Sequence, residues 1–170
     1  MVTLRRVFFA ALLVSVPAIF LVACSPAEPP EPPVEFTVKS DDGPFTVSQH
    51  RGEVVYVDFW ATWCGPCRDS FPWMAEMQSK YKDQGLKIIA LSLDTDHDMA
   101  RDFAEELNAN FTIGFDDSGE IADLFKVKGM PTSVVIGRDG RIAEVHEGFK
   151  EEEQDKYEAS LEKALNKKAS

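Results

Sequence analysis

Residues 53–60 read EVVYVDFW and residues 86–93 read LKIIALSL. Neither run alternates cleanly between apolar and polar residues, so each reads as a strand buried at the centre of a sheet. The segments around them carry a different rhythm. Phe71, Met74, Met77 and Tyr81 have helical spacing within residues 67–83, and DHDMARDFAEELNA places Met99, Phe103 and Leu107 at four-residue steps. A short strand is expected near Phe111 to Phe115, then a helix from about Ser118 with Ile121, Leu124 and Phe125 apolar. EFTVKSDDGPFTVSQ reads as two short strands around an Asp-Gly turn, and TSVVIGRDGRIAEVHEG as a hairpin around RDG. The last segment, residues 151–168, is helical with Tyr157, Leu161, Ala164 and Leu165 on one stripe. Strands alternating with helices and closed by a hairpin predict a mixed α/β sheet flanked by helices.

The chain has 170 residues, suited to one globular domain with a short appendage. Acidic residues outnumber Lys plus Arg by 29 to 18, for a net charge of −11. That balance offers no basic patch to collect phosphates, so no nucleic-acid partner is expected. There are 3 cysteines, Cys24, Cys64 and Cys67. They are too few for a disulfide-stapled scaffold or a four-cysteine zinc site within one chain.

Residues 1–23 read as a secretory signal, with Arg5 and Arg6 ahead of an uncharged stretch from Val7 to Ala23. An uncleaved membrane anchor is the competing reading, but the stretch is short for a span and Pro17 interrupts it. Leu21, Val22, Ala23 and Cys24 resemble the lipobox of bacterial lipoproteins, in which the cysteine is lipidated after cleavage. Five prolines follow between Ser25 and Glu35, and make residues 24–34 an extended, semi-rigid linker. Residues 35–170 are left as the folded domain. This layout implies a lipid bilayer as a partner through Cys24 and a site in the bacterial cell envelope, facing the periplasm or outer surface.

WATWCGPCRDSFPWM, residues 60–74, holds Cys64 and Cys67 three apart. Alone, that spacing is compatible with metal ligands, an inert staple or a redox pair. If a helix begins at Cys64, Cys67 lies one turn later on the same face, a separation that suits a disulfide. Cys64 would then meet the free amides and positive end of the helix, which favour its thiolate, and Pro66 would fit the first turn. Lowering a thiol from about 8.5 to about 7 raises its thiolate fraction at neutral pH roughly fifteenfold, of which lower nucleophilicity takes back roughly four- to sixfold. The larger consequence is a stabilised reduced form and a better leaving group.

VDFWATWCGPC with Pro72, together with GMPTSVVI, resembles the thioredoxin superfamily, and FWATWCGPCR…FP with the added material near residues 94–115 resembles its TlpA/ResA-like membrane-tethered group. The resemblance covers about residues 35 to 168. It implies a thioredoxin-like fold with an N-terminal β-hairpin and a strand–helix insertion. It also implies a cis peptide bond before Pro131 and a thiol–disulfide oxidoreductase acting through Cys64 and Cys67, without a cofactor. Reduction of protein disulfides is the expected direction, because no histidine lies between the cysteines. Disulfide-bonded proteins such as apocytochrome c are the implied substrates, with a membrane thiol as electron donor. A thiol-based copper chaperone is the alternative from another class. Trp63, Gly65, Pro66, Met130 and Pro131 are the candidate substrate groove, where backbone beside Pro131 could pair with an extended segment. Trp60 and Trp73 are expected to pack. Asp58 stands where thioredoxin has its buried acid, whereas ResA-like members often carry Asn there and Glu three residues after the second cysteine, where this chain has Ser70. Burial should raise the Asp58 pKa and fit it to take a proton from Cys67. His50, His97 and His146 are expected to be exposed rather than metal ligands.

Overall fold

A computed structural model describes residues 32–168. The signal segment, Cys24 and most of the proline-rich linker lie outside the described residues. A seven-stranded sheet in the order β2-β1-β5-β4-β3-β6-β7 forms the centre. The N-terminal hairpin pairs β1 (Thr37–Ser40) with β2 (Phe45–Thr46) across a turn in which Gly43 has a φ of 101°. Only glycine takes that conformation without a Cβ penalty.

The strand β3 (Val54–Trp60) is buried at every position, as its largely apolar run requires, and Asp58 is buried with it. It lies between parallel β4 (Leu86–Ser92) and antiparallel β6 (Thr132–Ile136). The helix α1 (Gly65–Tyr81) follows β3 and buries Phe71, Met74, Met77 and Tyr81, the stripe expected from spacing. Its C-terminal half is tied to β4 by Gln78, whose amide donates to the Leu86 carbonyl at 3.1 Å and accepts from the Ile88 N–H at 2.8 Å. A side chain that satisfies two buried backbone groups fixes both the helix position and the strand start.

The insertion comprises α2 (His97–Glu106) and β5 (Thr112–Phe115), which joins the sheet parallel to β4. Asp96 caps α2, its carboxylate accepting from the Asp98 and Met99 amides at 3.1 Å. The face of α2 that packs is Ala100, Phe103 and Ala104, while Met99 is 55% exposed. The expected four-residue stripe was therefore displaced by one position at its start. Small alanines let the helix approach closely, and Phe103 supplies the volume. A short α3 (Glu120–Leu124) buries Ala122 and leaves Leu124 exposed. The edge strand β7 (Ile142–Glu147) and α4 (Gln154–Asn166) complete the domain, with Tyr157, Leu161, Ala164 and Leu165 buried on one stripe.

Two apolar clusters cover the two faces of the sheet. One gathers α1, α2 and α4 around Tyr56, Trp60, Ile88 and Val135, and the other packs Phe36, Phe45 and Ala122 against Val55, Val57, Phe59, Ile89 and Leu91. No helix among the described residues is long and apolar enough to cross a membrane.

Candidate active site

The site begins where β3 ends. Leu93 donates its N–H to the Trp60 carbonyl at 3.0 Å, and Asp94 then holds the next turn. The Asp94 carboxylate accepts from the Thr62 N–H at 2.8 Å, from the Thr62 hydroxyl at 3.2 Å and from the Ser92 hydroxyl at 3.1 Å. This clamp sets the loop that delivers Cys64 to the start of α1. Sequence reasoning missed Asp94, because its partner lies 32 residues earlier.

Cys64 is the N-cap of α1, in extended conformation, and Pro66 sits in the first turn. Cys64 and Cys67 are joined as a disulfide with Cα atoms 5.3 Å apart. The pairing expected from one helical turn is thus present. Cys67 is fully buried and Cys64 is 6% exposed, whereas Trp63, Gly65 and Pro66 beside them are exposed. This asymmetry decides the chemistry available. A substrate thiol or disulfide can reach the Cys64 side first, and the helix terminus there favours the thiolate.

Asp58 lies on the same face of β3 as Tyr56 and Trp60, the face covered by the cluster that contains both cysteines. It is fully buried, and burial pushes its carboxyl up to about 7 while a hydrogen bond from Ser133 partly offsets this. The Ser133 hydroxyl donates to Asp58 Oδ1 at 2.7 Å, and Oδ2 has no hydrogen-bond partner among the described residues. A carboxyl poised near neutrality can both accept and release a proton at physiological pH. Ser133 carried no signal in the sequence, because it meets Asp58 only through the β3–β6 register.

Trp63 is 74% exposed and lines a groove of about 510 Å³ with Thr62, Arg68, Asp94, Met99, Asp102, Phe103 and Glu106. The Arg68 guanidinium lies 4.8 Å over the Phe103 ring and pairs with Glu106 at 2.7 Å. The insertion thus forms one wall of the groove beside Cys64. Met130 and Pro131 border a second hollow of about 290 Å³ with Lys128, Gly129, Thr132, Glu147 and Gly148, and the bond between them is cis. Trp63 lines the first of these hollows, and Met130 and Pro131 line the second. Trp60 and Trp73 are both buried, in agreement with a packing role.

The histidines depart from expectation. His146 is buried and bonds the Ser160 hydroxyl at 2.8 Å, and its burial lowers its pKa. His50 and His97 are partly covered, each bonded to a carboxylate and stacked on Phe45 and Phe115 respectively. Strand β7 is polar in sequence and exposed except at His146, which α4 covers through Ser160 and Tyr157, and pattern alone does not reveal this. No group of three or more His, Cys, Asp or Glu side chains suited to a metal occurs among the described residues.

Comparison with known proteins places this arrangement. A family model described as Redoxin matches residues 26–165. The chain is 36% identical over 108 residues to the thiol-disulfide oxidoreductase ResA of Oceanobacillus iheyensis, covering 64% of this chain and 56% of that protein. It is 30% identical over 102 residues to ResA of Bacillus subtilis, covering 60% and 57%. The match thus spans little more than half the length of these curated relatives. A crystal structure described as a thiol:disulfide interchange protein DsbE from Chlorobium tepidum superposes with a TM-score of 0.75 at 42% identity, covering 78% of this chain and 94% of that one.

Proposed function

The chain belongs to the redoxin family, in its TlpA/ResA-like thioredoxin group, and from that premise we propose that it reduces disulfide bonds in other proteins through Cys64 and Cys67. The observation that carries this reading is the Cys64–Cys67 disulfide at the first turn of α1, with Cys64 at the cap and Cys67 sealed beneath it. In the reduced protein the Cys64 thiolate attacks one sulfur of a substrate disulfide and expels the other sulfur as a thiolate. Cys67 then loses its proton to Asp58 and attacks Cys64 Sγ. The second substrate thiolate leaves, and the Cys64–Cys67 disulfide is restored. Two electrons pass to the substrate, and a membrane thiol donor returns them.

Gly65 and Pro66, with no histidine between the cysteines, support the reducing direction, since one stabiliser of the thiolate is absent. The groove beside Trp63 and the Met130–Pro131 loop supply the surfaces on which an extended substrate segment would lie. Similarity to ResA and DsbE supports disulfide-bonded proteins as substrates, and apocytochrome c is the substrate that the family resemblance suggests. Lipidation at Cys24, with residues 25–34 as spacer, would hold the domain at the membrane surface. Intact mass and membrane release of Cys24→Ala test that attachment.

Two measurements test the activity. Purified residues 32–168 should turn over insulin with dithiothreitol, and Cys67→Ser should accumulate mixed disulfides through Cys64. Stoichiometric Cu(I) binding without turnover would replace the reductase by a metal chaperone. A glutathione titration should place the potential nearer thioredoxin, at about −270 mV, and a value above about −180 mV would reverse the direction.

A further inference from the structure

Asp58 and Ser133 face each other across adjacent antiparallel strands, 75 residues apart in sequence. Directly opposed residues in such a pair project to the same side of the sheet. Both are buried, so the geometry of their contact is not averaged by solvent. Ser133 donates to Asp58 Oδ1 at 2.7 Å, and Oδ2 is buried with no partner among the described residues. The two carboxylate oxygens, equivalent in solution, are therefore different here.

We propose that Ser133 is a positioning residue for proton transfer: by holding Oδ1, it orients the Asp58 carboxylate and leaves Oδ2 as the oxygen that receives the Cys67 proton. The proposal rests on the reading of Asp58 as that acceptor. Transfer to Oδ2 leaves the Ser133 bond in place, because Oδ1 becomes the carbonyl oxygen of the acid and still accepts. Transfer to Oδ1 would break that bond and force the hydroxyl to turn. A buried site gains rate when its dipoles need not reorganise during the step. The same bond favours the ionised carboxylate, and so keeps a fraction of Asp58 competent as a base near neutral pH.

Among the residues buried in the cluster on this side, Tyr56, Tyr81, Tyr157 and the two cysteines are ionisable. Glu158 and Glu162 of α4 bond the Tyr81 phenol, Lys80 pairs with Glu158, and His146 lies opposite Ser133 on β7. The phenol of Tyr56 is raised well above its usual value, first by burial and then by the Asp58 charge, and so stays neutral in the working range. In the oxidised protein the cysteines do not titrate, which isolates the carboxyl.

The test is a carboxyl-carbon NMR titration of oxidised Ser133→Ala and Ser133→Thr, paired with the pH profile of single-turnover substrate release from the reduced proteins. Ala should move the Asp58 midpoint upward by about one pH unit, a tenfold loss of carboxylate below both midpoints, and shift the release profile equally. Thr keeps the hydroxyl and should restore both. An unmoved midpoint in Ala, or a shift that Thr fails to reverse, overturns the proposal. Asp58→Asn provides the separate control: if release keeps its wild-type rate and pH profile there, the assignment of Asp58 itself fails, whatever Ser133 does.

Discussion

The two faces of β3 differ in kind, one wholly apolar and the other carrying Asp58. One presents Val55, Val57 and Phe59, packed against Ile89, Leu91, Val134 and Ile136, with no polar side chain in the strand's contribution. The other presents Tyr56, Asp58 and Trp60 beneath α1, and it holds the two buried side-chain atoms that lack hydrogen-bond partners among the described residues, Asp58 Oδ2 and Trp60 Nε1. Buried polar atoms without partners cost stability, and natural proteins retain few of them. One strand thus divides its work. Its apolar face contributes packing, and this offsets the desolvation of Asp58 and Trp60 on the opposite face.

Emptying the apolar face should break the comparison most forcefully. Phe59 is fully buried and meets Phe125 at a ring distance of 5.6 Å. Phe59→Ala should lose about 3–5 kcal/mol in a urea melt, from lost transfer energy and the cavity left behind. Insulin turnover per folded molecule should stay near wild type, since no atom of the cysteine face is removed. A variant that melts normally but loses activity would show that the faces are not independent.

Asp58→Asn should act with nearly equal size and opposite sign. The Asp58 carboxyl rises from 3.8 to about 7, and at about 1.4 kcal/mol per pH unit this amounts to about 4 kcal/mol. The folded state holds this proton more tightly than the unfolded state, so stability falls as pH rises from about 4 to about 7 and then levels. Asn removes that penalty, and should be more stable than wild type at pH 8 by about this amount while slowing release of substrate by Cys67. The stability difference between the two proteins is the proper readout, because the separate titration of His146 cancels in it. A difference that does not change between pH 4 and 8 would mean that Asp58 is hydrated.

The same contrast shows what sequence could reveal. Strands β3 and β4 were legible because burial on both faces leaves an apolar run, and the Cys64–Cys67 pairing because it is local to one helical turn. The exposed Met99, the buried His146 and the Ser133 partner were not legible. Each depends on which element covers which face, information carried by strand register and helix docking rather than by spacing along the chain. The Asp94 clamp on Thr62 is of the same kind.

Gly114 offers a smaller test of the apolar face. A Cβ there would come within 2.6 Å of Leu91 Cδ2, 3.2 Å of Ile89 Cδ1 and 3.4 Å of the Lys39 carbonyl. Gly114→Ala should therefore cost about 1–3 kcal/mol through overpacking, despite the gain in strand propensity. The Lys39 carbonyl is at ordinary contact distance, so the cost turns on how far the buried Leu91 and Ile89 side chains can give way. A neutral result in a thermal melt would mean that the packing around β5 is looser than the distances imply.

Trp60→Phe probes the polar face with the smallest expected effect, and its sign is the informative part. The indole packs against Phe71 and Phe103 at ring distances of 4.7 and 4.9 Å, so a smaller ring loses contacts worth about 1–3 kcal/mol. The same replacement deletes Nε1, a buried N–H without an acceptor among the described residues, and removing such a donor recovers about 1–3 kcal/mol. The two terms nearly cancel, and the net change should stay within about 1 kcal/mol of zero. The analogous cut on the apolar face, Phe59→Leu, removes volume with no such recovery and should cost more. Matched urea melts of the two variants decide the matter. If Trp60→Phe proves the more damaging, Nε1 is satisfied in solution, and the polar face carries one unpartnered atom rather than two.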